Sequence, residues 1–333
     1  MSTAIIGAGV MGETLLSGLV RAGRRVDQLM VGEKRAERAR ELEERYGVAV
    51  VSNREAAAKA DTVALVVKPQ DMGDVLDEIA PDLRAGQLLV SLAAGITTSF
   101  IESRVPDGVA VVRVMPNTPA LVDEGMAAIS PGSHCDESHL TEAESLMAST
   151  GKVLRIPEKQ MDAVTAISGS GPAYIFFVVE SMIEAGVHLG LPRSTATDLV
   201  VQTLVGSAKM LRETGTHPAV LRVPERQMDA VTAISGSGPA YIYFVVESMI
   251  EAGVHLGLPR ATAHELVVQT LFGSAHMLRE TNEHPTVLRE QVTSPAGTTA
   301  AALRELEIHK VRAAFLAAME AARDRSRELA EGS

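Results

Sequence analysis

The chain has 333 residues, which is enough for two domains, and its formal net charge of −11 argues against a nucleic-acid-binding or membrane-surface protein. A single cysteine, Cys135, excludes an intrachain disulfide framework. No signal-peptide pattern precedes the first strand-like run, and no apolar run approaches the length of a membrane span. We therefore expect a cytoplasmic protein that acts on a small molecule.

The first 157 residues alternate strand-like and helix-like segments. The strand-like runs are rich in Val, Ile and Leu and lie at 3–6, 29–31, 48–51, 62–67, 88–93 and 109–115. Runs that are apolar almost throughout and alternate with helices are typical of a parallel sheet covered on both faces. The pattern predicts an α/β domain over residues 1–157, with a Rossmann-type doubly wound parallel sheet.

A GxGxxG motif connects the first strand to the first helix. Its glycines are Gly7, Gly9 and Gly12, and Val10 and Met11 lie between them. Glycines in this context allow a tight turn and a close approach of the backbone, so that the helix N-terminus can hold a pyrophosphate. The motif predicts dinucleotide binding. The alternative is a glycine-rich turn that serves only the packing of the helix on the sheet.

The residues after the second strand should select the cofactor. Glu33 stands where an acid would hydrogen-bond a ribose 2′-hydroxyl, which favours NADH. Lys34 and Arg35 follow at once and could pair with a 2′-phosphate, which favours NADPH. The same two residues could instead be the solvated first turn of a helix. The sequence therefore predicts NADPH or NADH without choosing between them.

Later strand ends supply further candidate cofactor residues. Carboxyl ends of parallel strands beside the glycine loop are where a dinucleotide lies, although each of these segments could also be simple turn chemistry. The candidates are Val67, Lys68, Pro69, Ala93, Ala94, Gly95 and Asn117, the last of them near the expected nicotinamide. No metal site is predicted.

After residue 157 the pattern becomes helical, and the chain repeats itself. Residues 160–222 match residues 227–289 at a constant offset of 67, and only nine of the 63 aligned positions differ. The helical domain, 158–333, thus contains copy one (158–222), copy two (225–289) and a segment that occurs once (290–333). The near-identity of the copies favours a very recent or deliberately constructed duplication.

Each copy is predicted to form two helices. The first is apolar nearly all round, which predicts burial, and a Ser-Gly-Ser-Gly-Pro stretch interrupts it early. The second follows a Leu-Pro-Arg turn, and in copy one a further helix is predicted to begin at His217-Pro218.

The segment after copy two contains a second candidate site. Ser294-Pro295-Ala296-Gly297-Thr298-Thr299 precedes an alanine-rich helix. Small residues at a helix start leave several backbone N–H groups pointing outward, which suits a carboxylate. An ordinary capped helix start is the alternative.

Several of these motifs resemble pyrroline-5-carboxylate reductase. They are GAGVMG at 7–12, VVKP at 66–69, MPNTP at 115–119, SGSGPAY at 168–174 and 235–241, and VTSPAGTT at 292–299. The resemblance covers essentially the whole chain apart from the extra copy, and SPAGTT is its most specific part. It implies reduction of 1-pyrroline-5-carboxylate to proline with NADPH or NADH. It also implies an intertwined dimer, in which the SPAGTT loop of one subunit completes the site of the other.

The resemblance also assigns roles by position. The Thr299 hydroxyl would lie near the imine nitrogen and act in catalysis, Asn53 and residues 91–95 would contact the cofactor, and the substrate carboxylate would be bound by Ser294, Gly297, Thr298 and Thr299. The family does not normally carry the helical block twice, so the repeat puts the oligomeric state in doubt.

Three other functions are compatible with parts of the pattern. A β-hydroxyacid dehydrogenase shares the domain plan, but its family pattern requires a lysine where this chain has Ile175 and Ile242. A broader imine reductase would accept imines that carry no carboxylate. A constructed scaffold with a duplicated domain would have little or no activity.

The position of both copies on one chain predicts an unusual assembly. A short joint, Val223-Pro224-Glu225, connects two blocks with the same self-complementary surface, so each is at high effective concentration for the other. We expect the blocks to pack about a pseudo-two-fold axis in place of a partner subunit. The product would be a monomer with one active site and an entangled chain path. The alternative is a homodimer whose extra helices are splayed outward or exchanged.

Overall fold

The computed structural model describes residues 2–212 and 224–331, and the side chains to residue 329. The chain divides into two compact units, Met1–Thr165 and Ala166–Ser333. The division lies eight residues beyond the predicted domain boundary at residue 157.

The first unit is built on one sheet of eight strands. These are β1 (Thr3–Ile6), β2 (Leu29–Gly32), β3 (Ala49–Val51), β4 (Thr62–Leu65), β5 (Leu88–Ser91), β6 (Ala110–Met115), β7 (Gly125–Pro131) and β8 (Gly151–Arg155). Their order in the sheet is β3-β2-β1-β4-β5-β6-β7-β8. The first six are mutually parallel, so that their carboxyl ends lie along one edge, and chain order reverses between β1 and β4. Ligands bind at such a reversal in open α/β sheets.

Two strands were not predicted from the sequence. β7 runs antiparallel to β6, and β8 pairs parallel with β7. The sequence of β7 is GMAAISP, in which small residues replace the β-branched runs that mark the other strands. Its first six residues are buried, so neighbouring strands and helices rather than local propensity determine this segment.

Helices cover both faces of the sheet. The principal ones are α1 (Val10–Arg21), α2 (Ala36–Tyr46), α3 (Asn53–Lys59), α4 (Met72–Ile79), α5 (Thr98–Glu102) and α6 (Glu137–Ala148). One apolar cluster joins the sheet to α1, α2 and α6, and a second joins it to α3, α4 and α5. Two cores on opposite faces are the signature of the predicted doubly wound domain, which is confirmed.

The remaining helices follow the sequence repeat. They are α7 (Met161–Val164), α8 (Gly171–His188), α9 (Arg193–Arg212), α10 (Met228–Val231), α11 (Gly238–His255), α12 (Arg260–Thr281), α13 (Pro285–Val292), α14 (Thr298–Ile308) and α15 (Val311–Glu331). A π-helical turn precedes α8 at Thr165–Gly169, and its counterpart at Thr232–Gly236 precedes α11. The helix predicted to begin at His217-Pro218, and Val223 of the joint, lie outside the described residues.

One helical run is apolar enough to cross a membrane by length and composition. It is Glu158–His188, which contains α7 and α8, and 78% of its most apolar window is buried within the protein. Buried core helices of globular proteins pass the same test.

Glycines bring the two copies into close contact within the second unit. A Cβ atom added to Gly171 at the start of α8 would lie 2.8 Å from the methyl carbon of Thr270 in α12. The equivalent Cβ on Gly238 of α11 would lie 2.7 Å from the methyl carbon of Thr203 in α9. The two contacts are equivalent, because Gly171 corresponds to Gly238 and Thr203 corresponds to Thr270 in the sequence repeat.

Two hydrogen bonds between hydroxyl groups of the two copies are equivalent in the same way. Ser168 and Thr270 lie 3.0 Å apart, oxygen to oxygen, and Thr203 donates to Ser235 at 3.0 Å. Because these contacts between the copies occur in equivalent pairs, the copies face each other about an approximate two-fold axis, as in an isologous interface.

Substitution of the contact glycines tests this packing. We expect Gly171→Ala and Gly238→Ala each to lower the free energy of unfolding by about 1–3 kcal/mol, because the new methyl group meets a threonine. Gly206→Ala in α9 is the control, since a Cβ there meets nothing within 4 Å. It should be neutral or stabilise by up to about 1 kcal/mol. Urea unfolding of the whole chain measures all three, and equal effects would contradict the packing.

Candidate active site

The glycine loop after β1 combines a strained turn with an open end. Gly7 has a φ of +97°, and a Cβ there would lie 2.5 Å from the Val66 carbonyl oxygen. A Cβ on Gly12 would lie 2.0 Å from the Gly7 carbonyl oxygen. Both positions therefore require glycine. Gly9 is the residue before α1, and a Cβ there would meet nothing within 4 Å, so the space before the helix N-terminus is open.

A cavity of about 350 Å³ lies at the carboxyl ends of β1 and β2. Its lining contains five of the residues predicted to bind the cofactor, namely Gly7, Glu33, Lys34, Asn53 and Val67. The position agrees with the reversal of chain order beside β1, where a dinucleotide is expected.

Glu33 is engaged by its neighbour Arg35. The Arg35 side chain donates from Nε and Nη2 to the two carboxylate oxygens at 3.1 and 3.0 Å, and its backbone N–H donates to the first of them at 2.9 Å. These hydrogen bonds hold the pKa of the Glu33 carboxyl below its usual value. Glu33 was expected to favour NADH and Arg35 to favour NADPH, but in the structure the two side chains form an ion pair with each other.

Lys34 is held by an acid that the sequence did not indicate. Its Nζ lies 2.9 Å from Oε2 of Glu78 in α4, and the Asn53 amide donates to the same oxygen at 3.1 Å. The hydrogen bond from Lys34 holds the pKa of the Glu78 carboxyl below its usual value. Glu78 is one of several acids on a surface helix, so only the fold distinguishes it.

The other predicted cofactor residues lie along the same edge of the sheet. Met11 is half-buried and Val10 is exposed in the first turn of α1, while Lys68 and Pro69 are exposed after β4. After β5, Ala93 is buried and Ala94 and Gly95 are exposed. Asn117, after β6, is buried, and its side-chain oxygen accepts a hydrogen bond from the Met126 amide at 2.8 Å. That bond gives Asn117 a structural role in addition to its predicted one.

The SPAGTT segment of the second unit forms a strained turn and a helix start. Ala296 has a φ of +57°, which is unfavourable for a residue with a side chain. Gly297 precedes α14 and has no side chain to cap the first amides of the helix. A Cβ on Gly297 would lie 2.3 Å from the Ser294 hydroxyl oxygen, so the turn is closed tightly on itself.

The segment lies against copy one, through Ser170. Thr299 donates its hydroxyl to Oγ of Ser170 at 2.9 Å, and Thr298 Oγ1 lies 3.3 Å from the same atom. Thr299 and Ser170 are both buried. Ser170 belongs to the SGSGPAY motif but was not predicted as a site residue. Its partner is 129 positions away, and the identical Ser237 of copy two gave no means of choosing between them.

An ion-pair cluster attaches α13 and α15, which flank the SPAGTT turn and α14 in the sequence, to α8. Glu180 accepts from the Thr286 hydroxyl and is paired with Arg289 of α13 and with Arg312 of α15, whose Nη1 lies 2.8 Å away. Burial raises the pKa of Glu180, but these partners outweigh it and hold the pKa below its usual value. The Arg312 guanidinium also stacks on the ring of Phe177, 4.1 Å from its centre.

Known families match both units. The family model for pyrroline-5-carboxylate reductase dimerisation matches twice, over residues 158–223 and 225–329. A model for coenzyme F420-dependent NADP oxidoreductases matches residues 2–95.

Two curated relatives align along nearly the whole chain, and a third aligns along most of it. Pyrroline-5-carboxylate reductase of Mycobacterium tuberculosis is 40% identical over 332 residues, covering 98% of this chain and 96% of the relative. The reductase of Corynebacterium melassecola is 38% identical, covering 98% and 97%. The chain belongs to the pyrroline-5-carboxylate reductase family. Bacillus subtilis pyrroline-5-carboxylate reductase 1 is 38% identical over 240 residues, covering 71% of this chain and 79% of the relative.

Solved structures of family members align with lower similarity. The Coxiella burnetii pyrroline-5-carboxylate reductase is 29% identical with a TM-score of 0.47, and 98% of each chain is covered. The Plasmodium falciparum enzyme, solved with NADP bound, is 26% identical with a TM-score of 0.45, covering 98% of this chain and 97% of that one.

The pairing around Lys34 and Arg35 predicts how cofactor preference can be shifted. In Glu78→Gln, Lys34 loses its counter-charge, so we expect the ratio of NADPH to NADH affinity to rise about three- to ten-fold. In Arg35→Ala, the freed Glu33 should lower the ratio by a similar factor. Glu55→Gln, a surface acid paired with Lys59, is the control. Fluorescence titration with each cofactor measures the ratio, and an unchanged ratio in both test variants would refute these roles.

The Glu180 cluster predicts a pH-dependent stability, and copy two supplies its control. Glu180→Gln should lower the free energy of unfolding by about 2–3 kcal/mol, because Arg289 and Arg312 lose the carboxylate that they share, although Arg312 keeps its pairing with Glu307. Glu247→Gln, the exposed equivalent in copy two, should change it by less than about 0.5 kcal/mol.

The same cluster sets the direction of the pH effect. The pKa of Glu180 is lower in the folded protein than in the unfolded chain. Its contribution to the free energy of unfolding is therefore complete above the pKa of the unfolded chain, and it is lost as the pH falls through the pKa of the folded protein. The difference between wild type and Glu180→Gln should therefore shrink on acidification. A difference that is constant from neutral to strongly acid pH would speak against the ion pairs.

Proposed function

We propose that this chain reduces 1-pyrroline-5-carboxylate to L-proline by hydride transfer from NADPH or NADH. The observation that carries the proposal is the hydrogen bond by which Thr299 of the SPAGTT turn contacts Ser170. The chain also belongs to this family and has an open glycine loop before α1. A cytoplasmic location is supported by the bacterial relatives and by the burial of the one apolar helix long enough to span a membrane among the described residues.

In the first unit, the glycine loop and the N-terminus of α1 would hold the pyrophosphate. The open space at Gly9 leaves room for a ligand to approach the backbone, and the helix N-terminus favours its negative charge. Glu33, Lys34, Arg35 and Asn53 would surround the adenosine ribose. The bound nicotinamide would supply the hydride.

In the second unit, the SPAGTT turn would bind the substrate. The backbone N–H groups at the start of α14 suit its carboxylate, and Ser294 and Thr298 add hydroxyl donors beside them. The Thr299 hydroxyl would face the ring nitrogen, with Ser170 fixing its orientation. A cyclic imine is electrophilic once it is protonated, so these residues need only to hold it, orient it and exclude water.

We further propose that the two copies replace a partner subunit, so that one chain forms one active site as a monomer. The reciprocal contacts of α8 with α12 and of α11 with α9 support this, because they give copy one a helical partner on its own chain. The single SPAGTT turn, which follows copy two in the sequence, would then complete the site at copy one of the same chain.

A homodimer is the alternative, and two findings favour it. The first is that residues 158–223 and 225–329 both match the family model for pyrroline-5-carboxylate reductase dimerisation. The second is the exposure of α11. Phe177 of α8 is 1% exposed beneath Arg312, whereas the equivalent Phe244 of α11 is 69% exposed. Within the described parts of the chain, no helix covers α11 as α15 covers α8. A second chain seated on α11 would remove that apolar surface from water.

Variants of the two serines test the proposed site within one molecule. With 1-pyrroline-5-carboxylate and NADPH, we expect Thr299→Ala to lower kcat/KM about a hundred-fold, as for a lost transition-state hydrogen bond. Ser170→Ala should lower it about ten-fold through misplacement of Thr299. Ser237→Ala, the identical serine of copy two, is the control and should leave it unchanged.

The outcomes separate the candidate functions. No proline formation by the wild type would refute the proposal. Equal effects of Ser170→Ala and Ser237→Ala would place the site elsewhere. Equal turnover of 1-pyrroline, which lacks the carboxylate, would indicate a broader imine reductase.

A further inference from the structure

Arg38 of α2 binds the backbone of the glycine loop. Its Nε donates to the carbonyl oxygen of Ala8 at 3.2 Å. The rest of the guanidinium is held by Glu41 at 2.8 Å and by Glu13 of α1, and the side chain is 21% exposed. The contact joins residues 30 positions apart, and no local pattern in the sequence indicates it.

The backbone carbonyl groups of Gly7, Ala8 and Gly9 each contact another residue of the protein. The Gly7 carbonyl packs against the Cα of Gly12, and the Gly9 carbonyl accepts the first hydrogen bond of α1 from the Glu13 amide at 2.9 Å. The Ala8 carbonyl between them is the one that Arg38 holds. Two of these three contacts come from α1 itself, and only the middle one depends on a side chain.

The middle carbonyl determines where the next amide points. In a trans peptide the C=O and the N–H point in opposite directions, so a carbonyl held toward α2 turns the Gly9 N–H away from it. A Cβ on Gly9 would meet nothing within 4 Å. If the peptide rotated, a carbonyl oxygen would face this space, and its partial negative charge would repel a phosphate.

We propose that Arg38 is a positioning residue for dinucleotide binding, which fixes the Ala8–Gly9 peptide so that the Gly9 N–H faces the bound pyrophosphate. The inference rests on the proposed cofactor site, and it gives Arg38 a role different from that of Lys34 and Arg35. Those residues distinguish the 2′ groups of the two cofactors, whereas Arg38 acts on the pyrophosphate that both cofactors share.

The ion pair that supports Arg38 is in place at neutral pH. Burial raises the pKa of Glu13, but hydrogen bonds from Arg38, Tyr46 and Arg45 outweigh it and leave the pKa below its usual value. Arg45 pairs with Glu13 at 2.7 Å and lies at the exposed end of this group. It therefore shares the electrostatic network, while the loop carbonyl is bound by Arg38.

Arg38→Met and Arg45→Met form a matched pair for the test. Fluorescence titration of the whole chain should show NADPH and NADH each binding about ten-fold more weakly to Arg38→Met, by the same factor. At saturating NADPH, kcat and the KM for 1-pyrroline-5-carboxylate should equal those of the wild type. Arg38→Lys, which can still donate to the carbonyl, should recover part of the affinity. Arg45→Met should bind both cofactors as the wild type does.

Each other result overturns the inference. Weaker binding of NADPH alone would make Arg38 a direct ligand of the 2′-phosphate. Equal losses in Arg38→Met and Arg45→Met would reduce its role to general electrostatics, and a lower kcat at saturating cofactor would indicate damaged folding. The titration needs no turnover, so a wild type that binds NADPH but forms no proline would refute the proposed function without deciding the role of Arg38.

Discussion

The close approach of α8 to α12, and of α11 to α9, organises the helical unit. At Gly171 and at Gly238, the absence of a side chain lets a threonine of the other copy come within van der Waals contact of the helix backbone. The first helix of each copy, α8 or α11, is hydrophobic nearly all round and must bury that surface against something. Here each of them packs in part against the second helix of the other copy, and the sequence offset of 67 makes the two halves of the contact equivalent.

The symmetry ends where the repeat ends. The segment from residue 290 occurs once in the sequence, and Glu180 of copy one holds α13 and α15 while Ser170 of copy one receives Thr299. The distal part of α15 also reaches copy two, where Ser326 donates to Asp229 at 2.7 Å. Copy two has the same glutamate and the same serine, in helices that differ from those of copy one at few positions, but Phe244 is exposed where Phe177 is buried. Among the described residues, Thr299 therefore contacts the serine of copy one and not the identical Ser237 of copy two.

Sequence patterning predicted those features that depend on neighbouring residues. The glycine loop, the first six strands, the interrupted apolar helices and the helix start after Gly297 all follow from composition and short-range spacing. β7 was missed because alanine and glycine replace the β-branched residues that mark a strand, and its pairing comes from its neighbours in the sheet.

The long-range partners of the candidate site could not be predicted. Glu78 beside Lys34, Ser170 beside Thr299, and Arg38 beside the Ala8 carbonyl each join residues at least 30 positions apart. Nothing in the local sequence separates these residues from others of the same type. For Ser170 the repeat adds a second obstacle, since Ser237 has the same motif around it.

The mass of the chain in solution tests the intramolecular pairing of the copies most directly. Light scattering should be measured over a range of concentrations down to micromolar dilution, so that weak association is separated from stable assembly. If the paired copies replace a partner subunit, the mass will be near 35.2 kDa throughout. A stable mass near twice that value at micromolar dilution would contradict this replacement, and would mean that a second chain covers copy two.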